Sequence, residues 1–277
     1  MTPPRRLLIT FLSLSLVLCA ANNAHAKRAA PRYKVDAVTD SAVTASAALI
    51  ALFSQLAISS GELTAQTPGP TENLSFIDRW VAERDDFEEG SRLSSNILLG
   101  VAAGFVAVDS VISGWLGGVR AGLTDALFYT QSILINIALV NIVKLTVRRP
   151  RPEAYWQVRN SGTAGNEKTD LALSFYSGHA AFTAGVTATA SYLAFRRYGV
   201  GWRSFLTLGV GIALTAAVSI ERVRSLAHFP SDVITGAIVG AAVGLLVPHF
   251  HFQGYEVQPT AAPVSGGGAV VGFAGKL

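Results

Sequence analysis

A series of long apolar segments with almost no charge limits the possible folds of this chain more than any other feature. The segments that follow residue 92 cover residues 93–119, 126–143, 171–195, 204–220 and 233–247. Half of the 277 residues are hydrophobic, only 14% are charged, and the mean hydropathy is +0.40. That balance is unusual for a soluble enzyme and typical of a membrane protein. The segments are also rich in Ala, Gly, Ser and Thr, which favour close helix contacts in a bilayer.

These segments predict an all-α helical bundle that is an integral membrane protein with about five to six apolar helices. Residues 41–61 are a further candidate, since they carry no charge but are diluted by serine, threonine and glutamine. They either span the membrane or lie along its surface. Several segments have only 15 to 18 uncharged residues, which is short for a span. A compact soluble helical bundle therefore remains an alternative.

The first 26 residues have the pattern of a secretory signal peptide. Arg5 and Arg6 precede an apolar run over residues 7–21, and the tripeptide Ala-His-Ala at residues 24–26 has the form of a cleavage site. The alternative is an uncleaved anchor. The only cysteine, Cys19, lies in the apolar run. Cleavage after residue 26 would thus leave a chain without disulfides or cysteine metal sites.

The charge balance argues against nucleic acid as a partner. Without Arg5 and Arg6 the chain has 20 basic and 18 acidic residues. It also lacks a basic stripe interleaved with aromatic side chains, which nucleic-acid-binding surfaces usually have.

The stretch His-Phe-Pro-Ser-Asp at residues 228–232 predicts a chemically active helix start. Pro230 suits the first helical position, and Asp232 then falls in the first turn. His228 would lie just outside the helix. Asp232 is expected to reach back to its imidazole and fix the tautomer, which leaves the other ring nitrogen to attack an electrophile.

Two further polar clusters stand at the ends of apolar segments. Ser177-Gly178-His179 is expected to open a helix, and residues 144–152, Lys-Leu-Thr-Val-Arg-Arg-Pro-Arg-Pro, are expected to close another. Phosphoryl transfer needs fixed cations for the equatorial oxygens, a nucleophile on one side and an acid on the other. In isolation, arginines after an apolar helix, such as Arg148 and Arg149, more often set topology or contact headgroups.

Together these clusters resemble the three-part signature of the type 2 phosphatidic acid phosphatase (PAP2) and vanadium haloperoxidase superfamily. The three parts are Lys144 with Arg151-Pro152 after six residues, Ser177-Gly178-His179, and Arg222 followed by His228 and Asp232. The resemblance covers about residues 90–250. This chain departs from the common pattern at Tyr176, where a proline usually precedes Ser-Gly-His, and at Glu221, where a serine usually precedes the arginine.

The resemblance implies a role for each residue of the signature. His228 would attack phosphorus to form a phosphohistidine, with Asp232 orienting the imidazole. His179 would protonate the leaving oxygen and then activate the hydrolytic water. The phosphoryl oxygens would be held by Lys144, Arg151, Ser177, Gly178 and Arg222. No metal or other cofactor is expected, because three fixed cations supply the neutralising charge.

The implied function is that of a metal-independent phosphatase acting on a phosphomonoester or diphosphate of a membrane lipid. One alternative is a vanadate-dependent haloperoxidase, although the apolar character of the chain favours a lipid substrate. Another is a non-catalytic member that binds a lipid phosphate. Glu221 favours that alternative, because its carboxylate could pair with Arg222 and compete with phosphate. The two histidines and Asp232 favour catalysis.

Four regions are predicted along the chain. They are a signal peptide at 1–26, an N-terminal tether and interfacial region at 27–92, a PAP2-like phosphatase domain at 93–250, and a Gly-rich tail at 251–277. Within the second region, residues 76–81 are amphipathic and are expected to rest on the bilayer surface. In the third, Asp109 interrupts an apolar segment and is expected to form a helix-packing hydrogen bond.

The arginines between the third and fourth segments predict the orientation in the membrane. Arg196, Arg197 and Arg203 crowd this connection, which the positive-inside tendency places in the cytoplasm. The motifs then face outward, so we expect a bacterial-type inner-membrane protein with its active site on the periplasmic face. After signal cleavage the N-terminus would also be outside, and residues 41–61 would not be expected to cross.

Overall fold

A computed structural model describes residues 33–63, 66–86, 88, 90–162, 169–253, 258–263 and 269–274. The predicted signal peptide at residues 1–26 lies outside these residues, as do parts of the predicted tail.

The described chain is a helical bundle followed by a small hairpin. The helices are α1 (Ala37–Ser59), α2 (Phe76–Ala82), α3 (Gly90–Gly117), α4 (Val119–Val147), α5 (Pro152–Ser161), α6 (Gly178–Tyr198), α7 (Trp202–Arg224) and α8 (Pro230–His251). Short 3-10 turns occur at Thr71–Asn73 and Thr169–Ala172, and an antiparallel pair is formed by β1 (Gln258–Pro263) and β2 (Ala269–Ala274). The prediction of an all-α bundle is confirmed, whereas the hairpin in the tail was not predicted.

The helices identify a membrane protein. In the described part, five segments are long and apolar enough to cross a membrane, namely α1, α3, α4 together with α5, α7 and α8. The sixth long helix, α6, is the most enclosed one, with eleven of its 21 residues buried. Neighbouring helices surround it, so its buried threonines and serines lie against protein. The expected number of five to six apolar helices is confirmed.

The long helices alternate in direction, so the motifs meet at one end of the bundle. Helices α1, α4 and α7 end there, and α3, α6 and α8 begin there. Parallel α6 and α8 are in close contact, because Gly236 lies against the Ser177 carbonyl and Gly244 lies against the Gly185 carbonyl. We call this end the site end. The opposite end, where Tyr33 forms a bridge with Phe252, is the far end.

Helix α1 runs along α4 and is held by polar contacts near both ends. Near the far end, Gln131 Nε2 donates a hydrogen bond to Asp40 Oδ1 at 3.1 Å, and His251 Nε2 lies 2.6 Å from the same oxygen. Near the site end, Asn141 Nδ2 donates to Gln55 Oε1 at 3.3 Å. Residues 41–61 were expected either to span the membrane or to lie along its surface. The structure favours a spanning segment, because α1 runs the length of the bundle.

The carboxylate inside α3 has the partner expected of it. The Tyr129 hydroxyl on α4 donates a hydrogen bond to Asp109 Oδ2 at 2.6 Å. Nearby on α4, Asp125 forms an ion pair with Arg197 of α6. These contacts join three helices inside the bundle, which accounts for a carboxylate in an apolar segment.

Helix α2 packs against the site end. Its inner face, with Asp78 and Val81, is buried, and Val81 contacts Phe229 in the α7–α8 connection. Its outer face exposes Phe76 by 86% and Trp80 by 51%. The predicted surface helix is therefore also a packing element. Contact of its outer face with the bilayer stays a prediction.

Three glycines of α8 allow it to lie directly on the backbone of α6. A Cβ atom built on Gly240 would lie 2.1 Å from the Ala181 carbonyl oxygen, and one built on Gly244 would lie 2.1 Å from the Gly185 carbonyl oxygen. Gly236 approaches Ser177 similarly. Backbone atoms cannot rotate away as side chains can. The position of α8, and of the residues at its start, therefore depends on these glycines.

We predict that Gly240→Ala lowers the Tm of the detergent-solubilised protein, because its methyl group would overlap a backbone carbonyl. Overpacking of this kind costs about 1–3 kcal/mol. The matched control is Gly209→Ala on α7, where a Cβ meets nothing within 4 Å. That change should leave the Tm unchanged or raise it, since alanine favours the helix. Equal Tm values for both variants would contradict this packing.

Candidate active site

The structure brings the three sequence motifs together at the site end. Lys144 lies in the last turn of α4, Arg151 directly before α5, Ser177 to His179 at the start of α6, Arg222 near the end of α7, and His228 and Asp232 around the start of α8. The Ser177 N–H donates to the Asp232 carbonyl at 3.1 Å, so the second and third motifs are joined through their backbones.

His228 is buried, and a backbone carbonyl fixes its tautomer. Its Nδ1 lies 2.7 Å from the Ser174 carbonyl oxygen. Because a carbonyl can only accept, Nδ1 carries the proton and Nε2 holds the lone pair. The expected direct bond from Asp232 is not what the structure has, since Asp232 Oδ2 lies 3.8 Å from Nδ1. That distance is beyond a hydrogen bond.

The surroundings of His228 keep its imidazole neutral. Burial lowers the pKa of His228 well below its usual value, and the positive charges of Arg151, Arg222 and Lys144 lower it further, whereas the bond to the Ser174 carbonyl opposes them. The neutral form is the one that can attack an electrophile. All three cations are therefore close enough to act on this imidazole.

Asp232 holds the residues around His228 in place. Its Oδ2 accepts hydrogen bonds from the Phe229 N–H at 2.8 Å and from the Ser174 hydroxyl. Its Oδ1 accepts from Arg149 Nη1 at 2.7 Å. Asp232 thus orients the imidazole indirectly, through the two neighbours that fix it. Its charge still lies close enough to favour a positive imidazolium over a neutral ring.

Arg149 is the centre of the polar contacts beneath His228. Its Nη1 donates to Ser231 Oγ at 2.8 Å as well as to Asp232, and its Nη2 donates to Asp78 Oδ2 at 2.9 Å. Its Cζ lies 4.2 Å from the centroid of the Phe229 ring. A guanidinium held by two carboxylates, a hydroxyl and an aromatic face has little freedom to move.

His179 lies at the start of α6 and contacts α3. Its Nε2 is 2.8 Å from Asn96 Oδ1. With the amide oxygen as acceptor, Nε2 carries the proton of this hydrogen bond. Ser177 caps the same helix, because its hydroxyl oxygen accepts from the Ala180 N–H at 3.4 Å. The hydroxyl expected to bind phosphate therefore also has a structural role.

The cations that face His228 are held by different elements. The Arg151 N–H donates to the Leu171 carbonyl at 2.8 Å, which ties the start of α5 to the segment before α6. Arg222 Nη1 donates to Ser95 Oγ of α3 at 3.4 Å. Arg151 and Arg222 are only 4% and 7% exposed. Buried cations of this kind bind an anion more strongly than exposed ones, because water screens them less.

Glu221 forms an ion pair with Arg224. Arg224 Nη1 lies 3.3 Å from Glu221 Oε1, and Arg224 Nη2 lies 2.6 Å from Glu88 Oε2. Adjacent residues on a helix point about 100° apart. Arg222 therefore turns inward to Ser95, while Glu221 and Arg224 brace the outside of the connection.

Several residues that support the site were not predicted from the sequence. Arg149 was considered only as a topology determinant or headgroup contact, and neither Ser174 nor Asp78 was singled out. The pair Arg149-Pro150, which repeats the form of Arg151-Pro152, was a weak signal. Ser174 fixes His228 mainly through its backbone carbonyl, which no sequence motif can specify. Asp78 is far away in sequence and comes close only through the packing of α2.

The comparisons with known proteins agree with this arrangement. Residues 125–256 match the family model described as the PAP2 superfamily. This part of the chain is therefore similar to the PAP2 superfamily. The matched range contains every residue of the three-part signature, whereas Asp78, Ser95 and Asn96 precede it.

Two curated phosphatases are similar to part of this chain. Phospholipid phosphatase 1 of Rattus norvegicus is 34% identical over 131 residues, which cover 40% of this chain and 46% of that protein. Decaprenylphosphoryl-5-phosphoribose phosphatase of Mycobacterium tuberculosis is 32% identical over 110 residues, which cover 40% of this chain and 52% of that protein. The chain thus spans about half the length of the curated relatives it matches.

A solved structure is also similar to this chain. It is the transmembrane PAP2 type phosphatidylglycerolphosphate phosphatase from Bacillus subtilis, with a TM-score of 0.43 and 19% sequence identity. The similarity covers 87% of this chain and 94% of that one.

We predict that Glu221→Ser changes turnover little and lowers the Tm slightly, since an exposed ion pair contributes at most about 1 kcal/mol. The measurements are phosphate release and thermal unfolding of the purified variant. If Glu221 instead restrained Arg222, the substitution would release a phosphate-binding cation. A tenfold or larger gain in turnover, equivalent to about 1.4 kcal/mol, would therefore contradict the bracing role.

Proposed function

We propose that this protein hydrolyses a phosphomonoester or diphosphate of a membrane lipid, through a phosphohistidine at His228 and without a metal ion. The observation that carries the proposal is a buried imidazole whose Nδ1 binds the Ser174 carbonyl, which leaves the lone pair on Nε2. The positive charges of Lys144, Arg151 and Arg222 act on this imidazole. The relatives are phosphatases of a phospholipid and of a decaprenylphosphoryl compound by name. Their names support a lipid phosphate as the substrate class.

In the first proposed step, His228 Nε2 forms a bond to phosphorus while the bond from phosphorus to the leaving oxygen breaks. His179 donates its proton to that oxygen. The three cations stabilise the charge on the equatorial oxygens as it spreads. The imidazole becomes positively charged, which the nearby Asp232 carboxylate favours.

In the second proposed step, water attacks the phosphohistidine. His179, now without its proton, accepts one from the water as the new oxygen–phosphorus bond forms. The bond from phosphorus to Nε2 breaks, which returns the lone pair to His228 and releases inorganic phosphate. The Ser174 carbonyl holds the proton on Nδ1 throughout, so Nε2 remains the reacting atom.

Two other functions were open from the sequence, and the structure favours neither. A non-catalytic role depended on competition between Glu221 and phosphate for Arg222, but Glu221 pairs with Arg224. A vanadate-dependent haloperoxidase would use the same cations. The five apolar segments favour a phosphatase for membrane lipids over that alternative.

We further propose that the protein lies in a bacterial-type inner membrane with its site end on the periplasmic face. The support is the group of Arg196, Arg197 and Arg203 around the α6–α7 connection, at the far end. Helix α1 begins at that same far end, so this orientation places residue 33 on the cytoplasmic side. Cleavage of a signal peptide after residue 26 would instead leave the new N-terminus on the periplasmic side. The proposed orientation is therefore incompatible with that cleavage.

The proposed function predicts that His228→Ala abolishes phosphate release and leaves the protein folded. Loss of a nucleophile typically lowers the rate by about three orders of magnitude or more. Phosphate release should be measured on a panel of phosphatidate, phosphatidylglycerol phosphate, undecaprenyl diphosphate and lipid A phosphate. His249→Ala is a matched control, because His249 lies at the far end and contacts Tyr192. Full activity of His228→Ala would overturn the assignment.

A second prediction is that excess EDTA leaves the rate unchanged. The neutralising charge comes from three side chains, and the carboxylate beside the nucleophile is already bound by Arg149, Ser174 and the Phe229 N–H. The rate should be compared before and after chelation and dialysis. Loss of activity that a divalent ion restores would contradict the metal-independent mechanism.

A further inference from the structure

The contacts of Asp78 connect a helix outside the PAP2-matched range to the nucleophile. Asp78 lies on α2, is only 2% exposed, and precedes the matched residues 125–256. Its Oδ2 accepts from Arg149 Nη2 at 2.9 Å and from the Ser75 hydroxyl at 2.8 Å. A buried carboxylate with several charged and polar partners is costly to remove and fixes whatever it binds.

Asp78 also binds the start of α8, directly after the nucleophile. The Ser231 N–H donates to Asp78 Oδ1 at 3.0 Å, and the Ser231 hydroxyl donates to Oδ2 at 2.7 Å. The first N–H groups of a helix have no partner within the helix, and its positive end favours a negative charge. The residue before this helix, Phe229, has no side-chain acceptor, so Asp78 supplies one from another helix.

We infer that Asp78 is a positioning residue for the reaction, acting through Arg149 on Asp232 and thereby on His228. The inference rests on the proposed function. Arg149 Nη1 binds Asp232 Oδ1 at 2.7 Å, while its Nη2 binds Asp78. With one carboxylate on each nitrogen, the guanidinium has one orientation.

The orientation of Asp232 then reaches the imidazole through two short paths. Asp232 Oδ2 binds the Ser174 hydroxyl and the Phe229 N–H, and the Ser174 carbonyl accepts from His228 Nδ1. A rotation of Arg149 toward Asp232 would shift Asp232, and with it Ser174 and Phe229. Displacement of a reacting atom by about 1 Å is enough to cost roughly a hundredfold in rate.

Charge supports the same role. Burial alone would raise the pKa of Asp78, but hydrogen bonds from Ser231 and Arg149 outweigh burial and hold the pKa below its usual value. Asp78 is thus ionised at neutral pH. Asparagine at this position would still accept from the Ser231 N–H through its amide oxygen. It would lose the charge that competes with Asp232 for Arg149.

The test compares Asp78→Asn with the wild type in detergent, with short-chain phosphatidate as the probe. We expect kcat to fall by about tenfold or more while KM stays within about twofold, because Asp78 does not touch the substrate. Asp78→Glu, which keeps a carboxylate, should retain more activity than Asp78→Asn. The matched control is Asp86→Asn, since Asp86 is 67% exposed and its ion pair is with Arg84.

A double-mutant cycle with Arg149→Gln separates positioning from general stability. If Asp78 acts through Arg149, the Asp78→Asn change should cost much less kcat in the Arg149→Gln background than in the wild type. The Tm of every variant is measured alongside. Additive losses in which kcat, KM and Tm all worsen together would mean a structural role only and would overturn the inference.

The remaining outcomes are also decisive. Wild-type kcat in Asp78→Asn, with His228→Ala inactive, would overturn this inference and leave the proposed function intact. Absence of phosphate release by the wild type on every lipid of the panel would overturn the proposed function, and this inference with it.

Discussion

The need to satisfy every backbone hydrogen bond in a bilayer determines where the chemistry of this protein can lie. In hydrocarbon, a spanning segment must be a helix, and non-helical backbone is tolerated only where protein or water surrounds it. The candidate site residues accordingly occur where helices begin and end. The non-helical segment before α6 is the clearest case, because its Ser174 carbonyl lacks a helical partner and can accept from His228 Nδ1. A backbone group released at a helix end thereby fixes the tautomer of His228, the proposed nucleophile.

The site end separates charges by function. Lys144, Arg151 and Arg222 face His228, and their positive charges keep it neutral and suit a phosphoryl group. Arg149 lies between two buried carboxylates, so that group of three carries a net negative charge. The imidazole is therefore close both to cations that would bind the substrate and to a negative group that would stabilise the imidazolium in the proposed intermediate. Neither the cations nor the negative group alone would suit both steps, because attack needs a neutral ring and the phosphohistidine carries a positive one.

The sequence predicted the bundle, the helix starts at Gly178 and Pro230, and the residues that meet at the site end, because these follow from hydropathy, proline and motif spacing. It did not predict what holds them. Asp232 was expected on the imidazole, yet the bond comes from a backbone carbonyl, whose direction depends on the path of the chain and carries no residue signal. The sequence also did not decide whether residues 41–61 cross the membrane. The polar contacts that hold this helix along the bundle join Asp40 and Gln55 to residues of α4 and α8, and they form only in the folded chain.

Motif residues and supporting residues are subject to different constraints, which explains why one set is recognisable and the other is not. A phosphoryl group requires particular side chains at particular distances, so spacing along three helix ends is informative. Support requires only that a buried donor meets an acceptor, and many residues from many places in the chain can meet that need. Helix α2 provides such support, since its Val81 packs on Phe229 and its Asp78 accepts from the first turn of α8. The segments before the matched domain are thus parts of the site end in this chain, even though no motif identifies them.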